Sequence, residues 1–145
     1  TLEALAHHYV CEGVRLVPMM DAQKGNVYVQ EFTWRADGDA LTLHEENFLA
    51  ILPLTEVIAG LSKTEQLVLL LGDAMQRKVD VELPVNVRLA PIHARLPRAA
   101  CVGLAALTRL ARGETDDPVT AVPLYLRRSE AEVLWEKRHG TEGAQ

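Results

Sequence analysis

The sequence predicts an α/β fold built on one mixed sheet, and three observations carry that prediction. Apolar residues alternate with polar ones between residues 14 and 44, interrupted by turn chemistry. A short run, residues 66–71, apolar without a break from Leu67 onward, is too short for a helix and ends at Gly72-Asp73. A long apolar segment, residues 97–113, carries Pro at its first turn and Gly at its stop. Alternation gives half-buried strands, a short unbroken run gives a strand covered on both faces, and the Pro-to-Gly segment gives a helix.

Along the chain, Leu2, Leu5, Ala6 and Tyr9 share one helical face over residues 2–10, and Gly13 breaks that helix. Val14 to Met20 is the first strand, with Val14, Leu16 and Pro18 on one face. Asp21 to Gly25 is a turn that begins with Asp and ends with Gly. From Asn26 to Arg35 the alternation slips phase near Glu31, which predicts one long strand with a bulge or a strong twist. Ala36-Asp-Gly-Asp39 is a hairpin turn, and Ala40 to His44 returns as the third strand of an antiparallel meander.

Leu52 to Gly60 reads as a short helix with Leu54, Val57, Ile58 and Leu61 inward. The run at 66–71 follows as a central strand. Pro84 and Pro91 make residues 79–92 an irregular connector with edge-strand character. The helix over 97–113 is expected to be largely buried against the sheet. Val122 to Leu126 reads as an extended edge, and 131–138 as a charged terminal helix.

Composition narrows the function classes. The chain has 145 residues, 48% hydrophobic and 24% charged, enough for one core that buries roughly two-thirds of the unfolded surface. No apolar stretch approaches the ~20 residues that cross a bilayer. Formal net charge is -5 and the basic residues are scattered, so no phosphate-neutralising stripe for direct nucleic-acid binding exists. Cys11 and Cys101 lie in apolar contexts as free thiols, in keeping with a reducing, cytoplasmic setting.

Catalytic patterns are sparse. His7 and His8 are adjacent, so on a helix they point about 100° apart and make a poor metal pair. His44 and His93 stand alone, and Ser129 has no nucleophile-elbow context. No metal site and no catalytic residue is assigned.

Several segments together resemble one family. Val17-Pro-Met-Met-Asp-Ala-Gln-Lys-Gly-Asn-Val-Tyr28 resembles the TsaB (YeaZ) motif, in which a strand ends in Asp-Ala-Arg, a basic residue and Gly before Glu-Val-Tyr; Gln23 and Asn26 depart from it. Pro97-Arg-Ala-Ala100 with Leu110-Ala-Arg-Gly-Glu114 resembles that family's last long helix. Pro123 to Arg127 resembles its closing Pro-x-Tyr-Leu-Arg, and Thr1 to Ala6 its inter-domain helix. These matches occur in family order along essentially the whole chain.

The resemblance implies the second domain of an actin-like, sugar-kinase-like (ribonuclease H-like) protein, with the family's amino-terminal domain absent. It divides the chain into an inter-domain helix (1–13), the domain itself (14–127) and a charged tail (128–145). It implies a non-catalytic scaffold in the synthesis of threonylcarbamoyladenosine on tRNA, with a TsaD-like catalytic subunit and a TsaE-like ATPase as partners. Transfer RNA is met only through the complex. No cofactor belongs to these residues themselves; ATP or ADP at the interface of the full complex is allowed. Two alternatives stay open: an ATP-binding enzyme half of the same fold, and a homodimer formed through an exposed sheet or the terminal helix.

Within that frame Asp21, Gly72 and Asp73 are candidate cleft-facing residues. Asp21 sits at a strand end, where it either lines a nucleotide or partner surface or bonds its own turn backbone. Gly72-Asp73 ends the central strand, where Gly either permits close phosphate approach or simply turns the chain. Tyr125, Arg127 and Arg128 either anchor the tail or touch RNA or an acidic partner.

Overall fold

The structure is a computed structural model that describes residues 1–75, 81–126 and 135. It divides into two compact units, Thr1–Thr115 and Asp116–Gln145. In the first, the order is α1 (Leu2–Ala6), β1 (Val14–Asp21), β2 (Asn26–Val29), β3 (Phe32–Asp37), β4 (Ala40–Glu45), β5 (Ala50–Pro53), α2 (Leu54–Leu61), β6 (Leu67–Leu71), β7 (Val87–Leu89), a 3-10 turn (Ile92–Ala94) and α3 (Ala99–Ala111). The sheet is mixed: β2 and β3 lie antiparallel to β1, β4 and β5 lie antiparallel to β3 and β2, and β6 and β7 run parallel to β1 on its other side.

The long second strand of the meander is split in two, but no residue is inserted. Leu16 faces Phe32 and Met19 faces Val29, three steps apart on both sides, so one register runs through β2 and β3. Met19 turns its carbonyl toward the β6 side, where the Ala74 N–H reaches it at 3.4 Å. Pro18 therefore faces the other way, opposite Gln30, and brings no N–H to the ladder. The expected bulge in this strand is corrected to a gap left by proline.

The phase slip has a separate cause. Val27 and Val29 pack on one face of the sheet with Val17, Met19, Val68, Leu70 and the inward side of α2. Phe32 and Trp34 pack on the opposite face with Leu2, Leu5, Ala6 and Leu16. Alternation never breaks; the covered face changes, because α2 overlies one half of the strand and α1 the other. The true bulge lies one strand further on, where residues 46–49 separate β4 from β5: five steps from Glu45 to Ala50 oppose three from Phe32 to Val29.

β5 replaces what the sequence reading took as the start of a helix at Leu52. Pro53 precedes the first helical residue and has φ -59, ψ 134, so it closes the strand rather than opening the helix. α2 buries Leu54, Val57, Ile58 and Leu61, the four residues expected inward, and runs one residue past Gly60. β6 lies between β1 and β7 as a central strand. α1 is shorter than expected because His7 caps it, and it packs into the same core as β1 and β3.

α3 is the main correction. Of its thirteen residues only Cys101 and Ala105 are buried, while Val102, Leu104, Leu107 and Leu110 are half or more exposed. Its apolarity predicted burial against the sheet. Instead the buried side of the helix meets α1, where Arg109 Nη2 bonds Glu3 Oε2 at 2.8 Å, and the wide apolar side faces outward. In the second unit Asp117 accepts the Val119 N–H at 2.9 Å through Oδ1. The terminal helix expected at 131–138 lies outside the described residues apart from Trp135, which is exposed.

Candidate functional site

Strands β1 and β6 are parallel neighbours with Pro18 beside Leu71, so their carboxyl ends finish side by side. In α/β sheets this edge is where ligands are met, because loops leaving parallel strands open there. The three residues singled out there are brought together. Asp21 ends β1, and its backbone N–H donates to Asp73 Oδ1 at 3.3 Å. Gly72 joins β6 to Asp73 with φ 88.

Gly72 is required at this point. A Cβ on it would lie 2.1 Å from the Met19 carbonyl oxygen, a clash with backbone that no rotamer relieves. The close approach expected of Gly72 is thus made to the neighbouring strand of its own sheet. Asp21 Oδ1 accepts the Gln23 N–H at 2.9 Å, the self-bonding turn weighed for it. The turn is tight: Gln23, Lys24 and Gly25 all take positive φ (63, 51 and 83). Asn26 N–H closes it on the Gln23 carbonyl at 2.9 Å.

The carboxylates of Asp21 and Asp73, on adjacent strand ends, can accept hydrogen bonds or attract a cation. A metal needs more ligands, and among the described residues no group of three His, Cys, Asp or Glu is placed to hold one. Cys101 is buried and Cys11 half-buried, both as free thiols. Tyr125 is 81% exposed in the second unit, and Arg127 and Arg128 lie outside the described residues.

Two hollows lie elsewhere on the first unit. One, of about 380 Å³, runs between β4, α1 and α3 and contains the Glu3–Arg109 pair. Its inner wall holds Trp34, whose indole N–H donates to the Ala6 carbonyl at 3.4 Å and whose ring meets His7 edge-on at 5.2 Å. The other, of about 550 Å³, lies between α2 and the β2–β5 edge, with Phe48 and Gly60 among its walls. Phe48 is 93% exposed, and nothing in its sequence context distinguishes it from a core aromatic. Next to α1, burial and then the charges of Arg98 and His93 push the His8 imidazole below its ordinary range.

This is an α/β unit whose parallel strands end side by side, where the Asp21 backbone N–H is bonded to the Asp73 carboxylate. Its fold is shared with several solved structures, among them two from one organism. An uncharacterized protein with similarity to peptidase YeaZ from Pseudomonas aeruginosa matches with a TM-score of 0.63 and 23% identity over 87% of this chain and 56% of that one. YeaZ from Pseudomonas aeruginosa matches with the same score and identity over 86% and 56%. At this identity the likeness is one of fold. The chain spans little more than half the length of these structures. No protein-family model matches it, and no curated protein does. Among the described residues no helix is long and apolar enough to cross a membrane.

Proposed function

We propose that the chain is the second domain of a TsaB-like (YeaZ-like), actin-fold protein that serves as a non-catalytic scaffold in tRNA threonylcarbamoyladenosine synthesis. In this reading it stabilises a TsaD-like catalytic subunit, works beside a TsaE-like ATPase in the cytoplasm, and meets tRNA only through the complex. Its mechanism is a coupling free energy between subunits.

The observation that carries the reading is the shared fold together with the Asp21 to Tyr28 segment, which forms the β1 end, the turn and the start of β2. The open apolar side of α3 supports it further, since a domain that works by association needs surface of this kind. The test joins the amino-terminal domain of a TsaB-like protein to the tagged chain and co-expresses the whole with a TsaD-like and a TsaE-like subunit. Retention of the TsaD-like subunit through purification, with raised threonylcarbamoyladenosine in the tRNA pool, is expected. No retention and an unchanged pool would sink the reading.

A second reading, an ATP-binding enzyme half of the same fold, is favoured by one feature: Asp21 and Asp73 meet at the carboxyl ends of parallel strands. Titration with ATP or ADP and magnesium separates the two. Saturable binding lost in Asp73→Asn favours this alternative.

A further inference from the structure

The hollow between β4, α1 and α3 has an apolar floor and a charged rim. Phe32 and Trp34 on β3 stand opposite Glu45 and Leu43 on β4, so these four side chains share one face of the sheet, the one α1 packs against. β4 is the end strand of the sheet, and the hollow of about 380 Å³ opens there, with Leu41 and Leu43 in its β4 wall and Thr108 and Arg112 in its α3 wall. Trp34 is fixed from behind, by the bond of its indole N–H to the Ala6 carbonyl and by the edge-on His7 ring. A floor held in this way loses little freedom when a ligand settles on it.

The rim carries charge of both signs. Arg109 is bonded to Glu3 at 2.8 Å and also feels the charges of Glu114 and Glu45. The Arg112 guanidinium, one turn further along, makes no hydrogen bond or ion pair among the described residues. With Glu3 and Arg109 paired, the cation Arg112 and the carboxylates Glu45 and Glu114 are left around the same space. A ligand that matches this lining carries a carboxylate for the guanidinium, an ammonium group for the carboxylates and an apolar group for the floor. The volume lies at the small end of the roughly 300–1,000 Å³ that holds small molecules, which calls for a compact ligand.

We infer that this hollow binds a free α-amino acid with an aromatic or branched apolar side chain. Its carboxylate meets Arg112, its ammonium group lies beside Glu45 and Glu114, and its side chain covers Trp34 and Leu43. This goes beyond the scaffold reading and does not depend on it. An amine or an acid alone satisfies one sign of the rim and not the other, and glycine leaves the floor uncovered. Arg112, Glu45 and Glu114 are exposed, so water and salt weaken each ionic contact, and the affinity is low, with a Kd of about 1 mM.

Titration of the chain with L-phenylalanine, followed through the Trp34 indole N–H signal in proton–nitrogen correlation spectra, tests this. A saturable shift with a Kd of about 1 mM is expected. Phenethylamine lacks the carboxylate, hydrocinnamate lacks the ammonium group and glycine lacks the side chain; each binds at least about tenfold more weakly. Arg112→Gln weakens L-phenylalanine binding at least about tenfold and leaves that of phenethylamine unchanged. Glu45→Gln together with Glu114→Gln also weakens L-phenylalanine binding, but not that of hydrocinnamate. All three positions are exposed, so circular dichroism stays unchanged. Arg88→Gln on β7, outside the hollow, serves as the control and leaves binding intact. No saturable shift up to about 20 mM, equal affinity for glycine or for either singly charged probe, binding indifferent to Arg112→Gln, or an equal loss in Arg88→Gln would overturn the inference.

Discussion

Gly72 packs its α-carbon against the Met19 carbonyl, so that a single added methyl at Gly72 would fall 2.1 Å from that oxygen. This contact joins the ends of two parallel strands and sets Asp73 beside Asp21. Gly72→Ala must both adopt φ near 88 and push β6 away from β1. A loss of about 3 kcal/mol is expected in urea unfolding. A loss below about 1 kcal/mol would show that the strands can part without cost.

Leu107 should tolerate charge. It is 62% exposed on α3, so Leu107→Lys is expected to change stability by no more than about 0.5 kcal/mol and to raise solubility. Leu70, at 2% exposure in the core under α2, gives the contrast: Leu70→Ala should cost about 2–5 kcal/mol. Equal losses at the two positions in thermal melts would mean that α3 is packed as tightly as the sheet.

Glu46 governs part of the acid response. The hydrogen bond from Thr33, and then the bond and charge of Arg35, hold its carboxyl below the ordinary range against some desolvation. A carboxyl depressed on folding contributes stability above its unfolded value, about 4.3, and loses it as pH falls through the lower folded value. Glu46→Gln should therefore lower stability at neutral pH and flatten the decline below about pH 4.3. Parallel stability–pH curves for the two proteins would refute this.

Arg109 and Glu3 tie α3 to α1 with side chains 51% and 27% exposed. Such a pair contributes little, and a double-mutant cycle with Arg109→Ala and Glu3→Ala should give a coupling under about 1 kcal/mol that shrinks as salt rises. A coupling that persists in high salt would point to a more protected contact than this one.

Much of the fold was legible because its signals are local. Alternation marked β1 and β4, the Asp-Gly pair marked the hairpin at Gly38, the spacing of Leu54, Val57, Ile58 and Leu61 marked the inner side of α2, and the unbroken run to Leu71 marked β6. Asp21, Gly72 and Asp73 were nameable as strand ends, since each follows an apolar strand. The gap opposite Pro18 was not legible, because it depends on which residue a distant strand places across from the proline. β5 was missed for the same reason: four residues make a strand only when β2 offers them a ladder.

The sequence by itself determined which segments can be strands and helices, because backbone preference and the spacing of apolar side chains act within a few residues. Only the tertiary structure decided which of those apolar surfaces are covered. Phe32 and Phe48 are the same residue type, sixteen positions apart; one is fully buried and the other 93% exposed. α3 and β6 are both strongly apolar, yet β6 is flanked by strands on both sides while α3 shows its leucines outward. Burial is a property of the surface that arrives opposite a side chain, and that surface comes from elsewhere in the chain or from another molecule.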